Sequence, residues 1–136
     1  MITISDKSRW AVRALTELAL RGDGGPVPIL DVAERRGVPP HLLEQLFASL
    51  RRSGVLQSQR GVRGGYSFRR DPSEVTILDV VETVDGRLGP VDDGGRGCDR
   101  VWTDARDTVV ESLANLTIAD MAEREARLSD APMFHI

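Results

Sequence analysis

Arg60 and Arg63 stand three positions apart, with Gly61 between them and the pair Gly64-Gly65 just after. Guanidinium groups on a glycine-rich loop suit one kind of chemistry. They can enter a narrow, electronegative groove and neutralise phosphate, provided the backbone that carries them can bend sharply. A second set lies upstream. At about 100° per residue, His41, Glu44, Gln45, Ala48 and Arg52 fall on one face of a helix that begins at Pro39-Pro40. Glutamate can accept from the amino group of cytosine, and glutamine can bond adenine in the major groove. Pro40, His41, Glu44, Gln45 and Arg52, with Arg60, Gly61 and Arg63, are therefore the candidate DNA-binding residues. Taken alone, the helix face also reads as an ordinary solvated one. Its neighbours in the chain decide between the two.

Other chemistries have little to work with. His41 and His135 are the only histidines, and no nucleophile–base pairing is visible. Gly61, Gly64 and Gly65 do not lie between a strand and a helix, as a phosphate-binding loop requires. No catalytic residue and no metal site is expected. The single cysteine, Cys98, rules out an internal disulfide framework and fits a reducing cytosol. Cys98 has two readings. One is a thiol redox switch, exposed in a loop near a helix N-terminus that favours the thiolate; the other is an inert residue.

The elements that must position these residues follow from periodicity. Leu42, Leu43, Leu46, Phe47 and Leu50 form the apolar face of the same helix. Ile29 to Arg36 reads as a short helix with Leu30, Val32 and Ala33 facing inward. Gly37-Val38-Pro39 then makes a tight turn with glycine at the expected C-cap position. Two helices joined in this way are the helix-turn-helix signature. Gly54 ends the second helix. Val55 to Arg60 and Tyr66 to Arg69 read as the two strands of a hairpin, a wing with Arg60 and Arg63 at its tip. Upstream, residues 1–5 read as a short strand with Ser5 as a helix N-cap. Lys7 to Arg21 reads as a helix whose buried stripe is Ala11, Ala14, Leu15, Leu18 and Ala19. Lys7 and Arg9 in its first turn read equally well as phosphate contacts or as a solvated turn.

The formal net charge of −3 conceals an asymmetry: residues 1–70 carry a net +6 and residues 71–136 a net −9. The basic half coincides with the helix-turn-helix and wing, and it is the half that phosphate would attract. No apolar run approaches the roughly 20 residues that span a bilayer, and the opening MITISDKSR turns polar at once, unlike a signal peptide. A cytoplasmic protein without membrane association is expected.

The second half reads as a dimerisation and sensor region, residues 75–136, following a DNA-binding domain over residues 1–74. Thr76-Ile77-Leu78-Asp79 opens a helix with a capping-box pattern. A glycine-rich, acidic flexible loop over 86–98 precedes a long helix over 99–115. On that helix Trp102, Ala105, Val109 and Leu113 make one narrow apolar stripe, the pattern of a helix packing along a partner helix. These four are the candidate homodimer interface, since two-fold symmetry gives half-site geometry on a palindromic operator in double-stranded DNA. Thr117 to Asp120 caps a last short helix to about Ala126. The apolar tail Ala131 to Ile136 is expected to dock.

The stretches KSRWAVRAL, GPVPILDVAERRGV, LLEQLFASLRRSGVLQSQRGVRGGYSF, VTILDVVETVDG and SLANLTIADM together span nearly the whole chain. They resemble the Rrf2-type winged-helix regulators, the IscR, NsrR and CymR family; the GVRGGY wing with LEQLF in the helix before it carries the likeness. The resemblance implies a mainly α fold with a small β-wing and a homodimeric bacterial transcriptional repressor. It places the second helix of the helix-turn-helix in the major groove, with Glu44 and Gln45 on bases, and the wing in the minor groove through Arg60 and Gly61. The entry Pro39-Pro40-His41-Leu42 departs from a more hydroxyl-rich pattern in the family. Many relatives hold an iron–sulfur cluster on three cysteines before the long helix. Here only Cys98 is present, so no cofactor is expected and the chain stands nearest the cluster-free, CymR-like members. For those, the resemblance implies control of cysteine, sulfur or redox-related genes and a signal that can arrive through a protein partner, for which the C-terminal tail is the candidate surface. The alternatives are an iron–sulfur or thiol redox sensor of the same family using Cys98, and a winged helix that binds protein in place of DNA.

Overall fold

The computed structural model describes residues 3–22, 25–89 and 97–130. Six helices and one hairpin follow in the order α1 (Asp6–Leu20), α2 (Ile29–Arg36), α3 (Pro40–Arg52), β1 (Leu56–Gln59), β2 (Gly65–Phe68), α4 (Ile77–Asp85), α5 (Arg100–Ala114) and α6 (Ile118–Asp130). Among the described residues, no helix is long and apolar enough to cross a membrane.

Local chemistry accounts for the helix boundaries. Ser5 caps α1 by accepting from the Ser8 amide. Gly37 ends α2 in the left-handed conformation at φ 64°, a region most side chains avoid. Pro39 and Pro40 open α3, where a missing backbone donor costs nothing. Thr76 and Asp79 form a reciprocal capping box: the Asp79 amide donates to Thr76 Oγ1 at 3.0 Å and the Thr76 amide to the Asp79 carboxylate at 3.1 Å. Thr117 and Asp120 repeat the device before α6 at 3.1 and 2.9 Å.

A single cluster of buried side chains holds the elements together. Ala11, Ala14 and Leu15 of α1 and Val32 of α2 meet Leu43, Phe47 and Leu50 of α3, and Val55 and Leu56 follow from the start of the hairpin. Val75, Val80 and Val81 enter the same cluster from α4 and the turn before it, and Ile118 from α6. The second half of the chain therefore covers the helix-turn-helix core directly. Ile77 donates its amide to Leu116 and Ile118 its amide to Val75, which sews the entries of α4 and α6 side by side.

Several expectations need correction. Leu30 is 64% exposed and does not face inward. Ile29, Val32 and Ala33 share the inner stripe at steps of three and four, and Leu30 lies about 200° from Val32. Residues 3–5 form no strand; they run as an irregular lead into α1. The hairpin strands are four residues each, Leu56–Gln59 and Gly65–Phe68; Val55 is buried against the core, and its carbonyl accepts from the Arg69 amide at 2.9 Å. Helix α6 runs to Asp130, beyond the expected end near Ala126. Leu88, expected in a flexible loop, is 5% exposed. Its amide donates to Glu82 of α4 at 3.2 Å, and its carbonyl accepts two bonds from Arg106 of α5 at 3.0 and 2.6 Å. The rest of that loop over 90–96, and the tail Ala131 to Ile136, lie outside the described residues.

Candidate nucleic-acid interface

Helix α3 divides into two faces. Leu43, Leu46, Phe47 and Leu50 are buried, with Leu42 half-buried beside them. Pro40, His41, Glu44, Gln45 and Arg52 are all exposed, with Ala48 half-buried between them. The expected set is thus brought to one surface. His41 Nε2 and Gln45 Nε2 lie 3.5 Å apart across one turn of the helix, and Arg52 donates to Ser49 Oγ at 3.1 Å. The turn into α3 is tight: the Val38 amide donates to the Ala33 carbonyl at 3.0 Å, and Val38 itself is buried.

The hairpin pairs antiparallel in the register Leu56 with Phe68, Gln57 with Ser67, Ser58 with Tyr66 and Gln59 with Gly65. A third segment braces it. Val27 and Tyr66 exchange backbone hydrogen bonds at 2.9 Å each, so the wing is tied to the chain that precedes α2. This explains Gly65: a Cβ there would fall 2.3 Å from the carbonyl carbon and oxygen of Val27, on backbone that cannot yield. Beyond this brace the tip projects outward, with Arg60, Gly61, Val62 and Arg63 all exposed.

The wing and α3 are locked together. The rings of Phe47 and Tyr66 meet edge to face, and Arg51 of α3 donates to Ser58 of β1 at 3.4 Å. Arg51 is a residue that sequence reasoning missed. It lies next to Arg52 at the end of α3, but its placement over the hairpin depends on how the chain folds back.

Charge pairing leaves a group of cations free on this surface, although Arg13, Arg69, Arg87, Arg100 and Arg124 elsewhere are also without an ion pair among the described residues. Arg9, Arg21, Arg35, Arg36, Arg70, Arg106 and Arg127 are each paired with a carboxylate. Arg51, Arg52, Arg60 and Arg63 make no ion pair with any described residue. Four cations on α3 and the wing are therefore available to an external anion. Arg9 is engaged by Asp6 within the first turn of α1.

Behind the interface lies a partly buried ionic junction. Glu17 of α1 is 6% exposed and receives Arg36 Nε at 2.9 Å and Arg21 Nε at 3.2 Å. The remaining edge of the Arg36 guanidinium grips Glu125 of α6 through two parallel bonds of 2.9 and 2.6 Å. The bonds from Arg36 hold the Glu125 carboxyl below its ordinary range. At the other end of α1, Asp85 accepts from the Ser5 amide, the Ser5 hydroxyl and, at 2.7 Å, the Ser8 hydroxyl. Partial burial works against its ionisation, but these bonds and nearby Lys7 outweigh that and lower its pKa.

On α5 the expected stripe divides. Trp102 is 59% exposed, Ala105 is exposed and Val109 is half-buried, and none of the three joins the core. Leu113 packs against its own chain, in a cleft with Ile4, Val12, Ile77 and Val81. Val110 does likewise and was absent from the expected stripe. Val101, at 52%, extends the exposed apolar patch around Trp102. Cys98 is exposed in a short 3₁₀ turn, Gly97–Asp99, immediately before α5.

Comparison with known proteins gives a consistent picture. Residues 4–124 match the Rrf2 family, described as iron-dependent transcriptional regulators. The HTH-type transcriptional regulator IscR of Photorhabdus laumondii is 34% identical over 137 residues, covering 94% of this chain and 84% of that protein. Among solved structures, CymR, the global cysteine regulator of B. subtilis, superposes with a TM-score of 0.84 at 32% identity, covering 91% of this chain and 98% of that one. T. potens IscR does so with a TM-score of 0.82 at 30% identity, covering 98% and 94%.

Proposed function

The chain belongs to the Rrf2 family of winged-helix transcriptional regulators, and from that premise we propose that it is a homodimeric, sequence-specific repressor binding a palindromic operator in double-stranded DNA. The observation that carries the reading is the set of four arginines, Arg51, Arg52, Arg60 and Arg63, left without carboxylate partners on α3 and the wing. Helix α3 enters the major groove with His41, Glu44 and Gln45 toward the base edges. The wing tip follows the adjacent minor groove, where Arg60 and Arg63 meet the deepest negative potential. Arg51 and Arg52 hold phosphates, and these contacts fix register without reading sequence.

A dimer presents two such units to successive half-sites, and the exposed patch of Val101, Trp102 and Ala105 on α5 is the surface that a second copy covers. The donor set does not fit an iron–sulfur cluster. Clusters of this kind are held in a four-ligand way dominated by thiolates, and the chain has one cysteine. Among the described residues, no three His, Cys, Asp or Glu side chains converge to hold a metal. The proposed regulator works without a cluster, on cysteine, sulfur or redox-related genes, in the cytoplasm.

Titrating the protein onto its own promoter DNA at several salt concentrations tests the reading. Specific binding that weakens steeply as salt rises, with a slope of several released counterions, is expected. Binding that ignores salt, or the absence of any shift, would make this winged helix a protein-interaction module.

A further inference from the structure

Arg36 is the last residue of α2 and precedes the left-handed Gly37 that aims α3. Its side chain is only 17% exposed. It bonds in two directions at once: to Glu17 of α1 through Nε and to Glu125 of α6 through both terminal nitrogens. Glu125 continues the inner stripe of α6, four residues after Met121 and seven after Ile118, and both of those pack on the core. The turn of the helix-turn-helix is therefore gripped by a residue 89 positions further along the chain. A two-pronged arginine–carboxylate pair constrains direction as well as distance, because both groups are planar and must align. A shift of α6 along or about its axis must move Arg36, and Arg36 moves the hinge of α3.

We infer that Arg36 is a positioning residue for operator recognition and that Glu125 is its partner, so that the seating of α6 sets the angle at which α3 is presented to DNA. The inference rests on the DNA-binding reading above but has a readout independent of it. Neither residue belongs to the face that meets DNA, so a change in affinity on altering Glu125 has to travel through the turn.

The test uses the full chain carrying Glu125→Gln, which keeps the shape and loses the charge, and Arg36→Lys, which keeps the charge and loses the fork. Glu123→Gln, at an exposed pair with Arg127 on the same helix, is the control. Both test variants are expected to lower operator affinity at least about fivefold, the lower end for coupling between separated sites, with the salt slope unchanged because no phosphate contact is removed. The double variant loses no more than the larger single loss. Amide exchange at Gly37 and Val38, which both bond the Ala33 carbonyl, quickens in both variants and not in the control. Folded Glu125→Gln protein with wild-type affinity, or with wild-type exchange at residues 37 and 38, overturns the proposal. If wild-type protein binds no DNA, the functional reading fails, and the exchange measurement still decides whether α6 holds the turn.

Discussion

The ring of Phe47 meets the ring of Tyr66 with centroids 5.1 Å apart and planes inclined at 63°. Phe47 is fully buried on the inner face of α3, and Tyr66 lies in β2 opposite Ser58. The edge-to-face contact, with the Arg51–Ser58 hydrogen bond, ties the helix proposed to read bases to the hairpin proposed to enter the minor groove. Tyr66→Leu keeps an apolar side chain and removes the aromatic geometry. It is expected to cost about 1 kcal/mol beyond the buried area, read as a lowered urea midpoint. Operator affinity falls with it, because α3 and the wing lose their common frame.

Arg60→Ala removes one wing-tip cation that has no ion pair of its own among the described residues. The logarithmic salt slope of binding should fall by about 0.9 for one lost phosphate neutralisation. Preference at the minor-groove positions should relax as well. Mobility shifts at four or five salt concentrations, on the operator and on a scrambled duplex, give both quantities. Unchanged slope and affinity would remove Arg60 from the interface.

Gln45 stands at the centre of the exposed face of α3, one turn from His41. Gln45→Ala should flatten the selected sequence at one position of each half-site, with about 1–3 kcal/mol of discrimination lost for a two-pronged base contact. Sequencing of DNA selected by the variant reads this directly. A selected sequence identical to that of wild type would place Gln45 over the backbone or in solvent.

Trp102→Arg places a charge in the exposed apolar patch of α5. Sedimentation velocity should show a monomer where the wild type sediments as a dimer, with the helical content of the protomer unchanged, since Trp102 packs on nothing in its own chain's core. A variant that still sediments as a dimer would move the interface to another surface.

Asp85 ties the C-terminus of α4 to the first turn of α1, and its folded pKa is depressed. A carboxyl of this kind contributes stability that is fully present above its unfolded value of about 3.9 and is lost as pH falls through the lower folded value. Asp85→Asn should therefore lower stability at neutral pH. Its loss of stability on acidification should be shallower than that of wild type, as measured by thermal unfolding between neutrality and about pH 3.

The parts of this fold legible in the sequence were those set by neighbours in the chain. Gly37 as a C-cap, Thr76 with Asp79 as a capping box and the inner face of α3 each depend on spacings of four residues or fewer, where helix geometry leaves few options. Leu30 was misplaced because in an eight-residue helix the stripe of Ile29, Val32 and Ala33 competes with an equally apolar neighbour. The Arg36–Glu125 pair and the seating of Leu88 between Glu82 and Arg106 were not legible at all. Charged residues are common on every helix, and only the packing of α4, α5 and α6 decides which of them meet. For the same reason the stripe of α5 could be recognised, but not its division into Leu113 turned to the core and Trp102 left outside.

The brace between Val27 and Tyr66 carries a consequence for how the molecule assembles. These two residues lie on either side of α2 and α3, so their backbone pairing closes a loop that contains the whole helix-turn-helix. Closing a long loop is slow unless the intervening chain has already become compact. The hairpin can form from its own local turn, but it docks only after α2 and α3 have collapsed on each other. Within the helix-turn-helix unit the wing is thus expected to seat after the two helices it encloses, so its docking depends on their packing.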